Sequence, residues 1–114
     1  MSWFYVDDGF WSHPKTLGIT MSAAGVWVLG GSWCARHLTD GYIPADALAM
    51  VCRRRLTREP AELVERTLWT PVGDGWQYVD WTQWQKSKAE VEKKREASRS
   101  RVEAWRRKRQ TGDL

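Results

Sequence analysis

Apolar positions along this chain come in blocks, each with its own period and each closed by a short polar turn. Trp3-Phe4-Tyr5-Val6 has strand composition and ends at Asp7-Asp8-Gly9, with Phe10 and Trp11 expected to pack back on a core. Ser12-His13-Pro14-Lys15 reads as a loop or a short helix opening, because Pro14 disfavours helix at His13, and His13 is a turn residue rather than a ligand. From Ala23 to His37 the period becomes helical, with Ser22 as the predicted N-cap. Ala23, Trp27, Cys34 and Leu38 form one apolar face, and Val26, Leu29 and Trp33 form a second beside it. A helix apolar on two sides belongs at the centre of a fold. Gly30-Gly31 inside it costs about 1 kcal/mol per glycine relative to alanine, so close approach of another element is expected there.

Thr39-Asp40-Gly41 is a turn signal, and Tyr42-Ile43 predicts a brief strand. Pro44 suits the first position of a following helix, where its missing N–H leaves nothing unpaired. That helix continues over Ala45 to Val51, with Leu48 and Val51 facing inward. The Arg53-Arg54-Arg55 turn comes next, then Thr57 as a candidate N-cap and a helix from about Arg58 to Thr67. Pro60 falls within its first turn, and Leu63, Val64 and Thr67 line one face. Leu68-Trp69-Thr70 and Trp76-Gln77-Tyr78-Val79 flank Val72-Gly73-Asp74-Gly75, whose Asp-Gly signals a hairpin. This order predicts an α+β fold, a winged helix-turn-helix of three core helices plus a β-hairpin wing. Thr82-Gln83-Trp84-Gln85 matches a capping box and opens a last, almost wholly polar helix. Val91, Val102 and Trp105 supply only a fragment of a heptad seam, too little for a coiled coil. The expected division is a winged-helix body over 1–81 and a basic C-terminal helix or tail over 82–114.

WFYVDDGFWSHPK, LTDGYIP, LVERTLW, GDGWQYVDW and TQWQKSK resemble a group of small proteins from phages of actinobacteria, over about Trp3 to Lys88. That group is similar to the N-terminal domain of DnaD-like replication initiators and phage replisome organisers. The resemblance implies a winged-helix fold and helix-turn-helix DNA binding; it names no target sequence.

At 114 residues the chain fits one domain with little to spare. The apolar run around Ala23 to Gly31 is too short and wrongly flanked for a secretory or membrane segment, which points to the cytoplasm of a bacterial host and no membrane partner. Cys34 and Cys52 then read as reduced, mostly buried thiols. Cys34 and His37 lie one turn apart, but no second close pair completes a zinc site, and no cofactor is expected. Trp69, Trp76, Trp81 and Trp84 recur around the hairpin; stacking platforms for bases are one reading, and core aromatics that enlarge a small domain's buried area are the better one.

Charge changes the picture most. The net charge of +4 hides an asymmetry: residues 86–110 hold eleven Lys or Arg against four Glu, whereas residues 1–85 hold seven basic against nine acidic side chains. A near-neutral body with a strongly basic tail favours nucleic acid. Duplex DNA is the expected partner, in phage replication or gene regulation. Arg53, Arg54, Arg55, Arg58 and Arg66 on the body are the candidate phosphate contacts, together with Lys86, Lys88, Lys93, Lys94, Arg95, Arg99 and Arg101 on the tail. The expected recognition helix nevertheless carries Glu59, Glu62 and Glu65, which would repel phosphate, and the hairpin tip is acidic at Asp74. The alternative is therefore a protein-interaction module that meets a basic host or phage protein. No nucleophile–base spacing, paired carboxylates or Gly-rich phosphate loop points to an enzyme.

Overall fold

A computed structural model describes residues 2–110; the last four positions of the expected tail lie outside the described residues. The fold is α+β: α1 (Met21–His37), β1 (Tyr42–Pro44), α2 (Ala45–Cys52), α3 (Arg58–Glu65), β2 (Trp69–Val72), β3 (Gly75–Tyr78), the single turn α4 (Trp81–Trp84), and α5 (Lys88–Gln110). The three strands form one antiparallel sheet in the order β1-β3-β2, with Ile43 opposite Trp76 and Trp69 opposite Tyr78.

The core lies between this sheet and α1–α3. Ile43, Leu48, Leu63 and Trp69 are almost wholly buried, and α1 presents Ala23, Val26, Cys34 and Ala35 to them. Gly30 and Gly31 explain how rings come so close to a helix axis. A Cβ at Gly30 would sit 2.7 Å from the Tyr78 hydroxyl, and one at Gly31 would overlap the Phe4 ring. Two glycines thus admit one aromatic from β3 and one from the N-terminal segment. The Tyr78 hydroxyl donates to the Trp27 carbonyl at 2.6 Å, and burial pushes its pKa well above the ordinary value.

Tertiary contacts move several predicted boundaries. The N-cap of α1 is Thr20, whose hydroxyl accepts from the Ala23 N–H at 3.2 Å, while Ser22 donates instead to Glu59. Leu29 remains 48% exposed, so the second apolar face of α1 is only partly covered. Trp33 finds its neighbour on its own helix, stacked on His37 at 4.5 Å. Pro44 is the last strand residue and the N-cap of α2, not its first helical residue. Thr57 stands at the N-cap of α3, but its hydroxyl makes no capping bond. Thr67 lies outside α3 in the left-handed region (φ 57°), where the chain turns so that the Leu68 N–H reaches the Leu63 carbonyl. The hairpin turns on Gly73-Asp74, with glycine at the first central position (φ 57°), as a type II′ turn requires.

Residues 3–6 form no strand. The Tyr5 backbone pairs with a side-chain amide: its N–H donates to Gln85 Oε1 at 2.8 Å, and Gln85 Nε2 donates to the Tyr5 carbonyl at 2.7 Å. Gln85, spent this way, does not act in a capping box, and α4 ends before it. The working cap of α5 is Ser87, whose hydroxyl accepts from the Glu90 N–H. Asp40 adds a carboxylate at the same helix start, accepting from the Lys88 N–H at 2.6 Å. Val91 in the first turn of α5 is buried, and past it the helix is exposed. The tryptophans divide accordingly. Trp69 and Trp81 are core, Trp76 is half-buried against Trp69, and Trp84 is 63% exposed.

Candidate nucleic-acid interface

The candidate phosphate contacts fall into three groups. In the turn between α2 and α3 all three arginines are exposed, but two are engaged: Arg54 with Glu59 at 3.5 Å and Arg55 with Asp46 at 2.9 Å. The Arg55–Asp46 pair, exposed on both sides, contributes about 0–1 kcal/mol and opens readily to a competing phosphate. Arg53, in a left-handed backbone conformation (φ 60°), has no ion pair among the described residues.

On α3, Glu59 and Glu62 turn toward α1, while Glu65 stays exposed. Glu59 accepts from the Ser22 hydroxyl at 2.8 Å, and Glu62 accepts from both the N–H and the hydroxyl of Thr20. These bonds, strongest for Ser22 on Glu59 and for the Thr20 N–H on Glu62, hold both carboxyls below the usual carboxylate range, helped by Arg54 and Arg66. Glu59 and Glu62 therefore fasten α3 to the start of α1; both stay ionised, with Arg54 and Arg66 as counter-charges, and Glu65 has no ion pair among the described residues. Arg66 is structural too. It pairs with Glu62 and donates to the carbonyls of Lys15 and Leu17, fixing the loop before α1. Arg58, by contrast, is exposed at the start of α3.

The third group converges. Lys86, Lys88, Lys94, Arg95 and Arg101 line a cleft of about 270 Å³ between the root of α5, the end of α1 and the N-terminal segment. Cys34, Leu38 and Val91 form its apolar floor, and burial raises the Cys34 thiol to about 11. Asp40 is the one carboxylate of the lining, and it is taken up by the Lys88 backbone N–H. None of the five cations makes an ion pair among the described residues; Arg95 reaches only the Ser2 hydroxyl, at 3.5 Å. Five like charges around one hollow, against the single carboxylate of Asp40, leave a net positive potential there. Lys93 and Arg99 lie exposed farther along the helix, outside the cleft lining, and Arg99 pairs with Glu96.

Trp3 and Tyr5, expected in a strand from their composition, also line this cleft. The signal that locates them is the alternation itself. In extended chain, Phe4 points one way into the core, and Trp3 and Tyr5 point the other. A second hollow, of about 420 Å³, lies among Phe10, Trp27, Leu68 and Trp84, but Asp7, Asp80, Lys15 and His13 give it mixed charge and no preference for phosphate. Among the described residues no helix is long and apolar enough to cross a membrane, and no three His, Cys, Asp or Glu side chains gather as metal ligands would. No family model, curated protein or solved structure matches the chain.

Proposed function

We propose that this chain is a winged helix-turn-helix protein of phage origin that binds DNA through phosphate contacts, in phage replication or gene regulation. The element order α1-β1-α2-α3-β2-β3 supports the winged-helix reading, with α3 as the second helix of the motif and β2–β3 as the wing. Glu59 and Glu62 bond to α1 and pair with Arg54 and Arg66, which lessens the objection to α3 approaching DNA. The observation that carries the proposal is the cleft at the root of α5, where five cations stand without a carboxylate partner. Such a field attracts the phosphate backbone without selecting a sequence. The protein-partner reading loses support, since two of the three carboxylates on α3 are hydrogen-bonded to α1.

The test is binding of a fluorescent 20-base-pair duplex by anisotropy over a sodium chloride series. Replacing Lys94, Arg95 and Arg101 by glutamine should weaken binding on unrelated sequences alike. The log–log salt slope should fall by about 0.9 per lost contact, or about 2.7 for the triple variant. An unchanged affinity and slope, or no binding at low salt by the parent chain, refutes the proposal.

A further inference from the structure

The cleft pairs its charge with aromatic surface, and that combination narrows the ligand. Trp3 is 67% and Tyr5 44% exposed, and neither ring touches another aromatic among the described residues. Both nevertheless sit on a backbone held from two sides. Phe4 between them is wedged against Trp27 and Trp81 at ring distances of 4.9 and 5.8 Å, and the Gln85 amide clamps Tyr5 through both its backbone groups. A large apolar ring kept in water on a fixed backbone is a poor way to gain stability and a good way to present a flat face with little ordering cost. Arg95, which reaches the Ser2 hydroxyl, lines the same cleft as Trp3. The hollow itself encloses about 270 Å³, far less than a base-paired duplex would need.

We infer that this cleft is a subsite for single-stranded nucleic acid: an unpaired base stacks on Trp3, with Tyr5 beside it, while Lys94, Arg95 and Arg101 hold the flanking phosphates. Stacking accepts any base, because every base has a π-face, and the unpaired phosphates run along a positively charged groove. The duplex cannot offer this, since its bases are stacked on one another and only its phosphates reach the rim. The inference rests on the phosphate reading of the cleft and adds the choice of an unpaired strand.

The experiment compares a labelled 12-nucleotide oligo-dT with a duplex of equal length, at equal salt, on the full chain. The parent protein should bind the single strand more tightly. Trp3→Ala should lower the ratio of single-strand to duplex affinity about tenfold, within the range for loss of one stacked base, and Trp3→Phe should fall between the two. In parallel, ultraviolet cross-linking of the unaltered protein to an iodouracil-substituted strand should map to the peptide spanning residues 2–15. A duplex preference in the parent chain, an unchanged ratio in Trp3→Ala, or cross-links confined to other peptides overturns the inference while leaving duplex binding intact. Absence of binding to either form overturns the DNA reading together with it.

Discussion

Replacing Gly31 by alanine isolates the contact on which both the fold and the cleft depend. In an open helix position the change should stabilise, since alanine is favoured over glycine by about 0.8–1.0 kcal/mol. Gly25 provides that reference on the same helix: a Cβ there meets nothing within 4 Å. At Gly31 the same methyl overlaps the Phe4 ring, which is packed between Trp27, Trp81 and Tyr78. Overpacking of this kind costs about 1–3 kcal/mol. Gly31→Ala should therefore fall about 1–3 kcal/mol below Gly25→Ala in urea denaturation, and each kcal/mol corresponds to about 4–8 °C in Tm for a body of this size. The cause is checked with a double-mutant cycle: in a Phe4→Ala background the penalty should vanish, leaving only the helix-propensity gain. Equal stability of the two glycine variants, or a deficit that persists without the Phe4 ring, refutes the wedge. Because Phe4 anchors Trp3 and Tyr5, Gly31→Ala should also weaken oligo-dT binding without altering a single charge.

Glu62→Gln should cost about 1 kcal/mol at neutral pH by weakening the bonds from Thr20 at the start of α1. A carboxyl whose folded pKa lies below its ordinary 4.5 stabilises the fold above pH 4.5 and loses that contribution as pH falls through the lower folded value. The variant should accordingly show a flatter acid limb below pH 4.5 in stability measurements, and an unchanged limb would refute the assignment. Burial raises both thiols, Cys34 to about 11. Half-buried Cys52 should therefore react first with a disulfide reagent at pH 8 and Cys34 only as the fold opens; equal native rates would contradict the packing.

Much of the candidate site was hidden from sequence for a definable reason. The run of basic residues after Gln85 is visible in composition, but its meeting with Trp3 and Tyr5 joins positions some 80 residues apart, as the Tyr5–Gln85 pairing shows. Arg66 and Arg58 look alike as exposed cations on one helix, yet Arg66 is bound to loop carbonyls and Glu62, whereas Arg58 is exposed at the helix start. Their difference depends on which side of α3 meets α1.

What the sequence by itself determined was the order of elements from Met21 to Tyr78 and the place where rings would approach the first helix. Turn residues act through their own backbone: Asp40-Gly41, Pro44 and Gly73-Asp74 stop or bend the chain whatever surrounds them. The Gly30-Gly31 pair likewise announces a close approach, because nothing local favours two glycines inside a helix. Only the tertiary structure decided which polar side chains were occupied. Gln85 became a partner for Tyr5 instead of a helix cap, Asp40 capped a helix 48 residues away, and Glu59 and Glu62 turned inward to Ser22 and Thr20. A hydrogen-bonding side chain takes whichever partner packing brings within about 3 Å, and packing is a property of the whole chain.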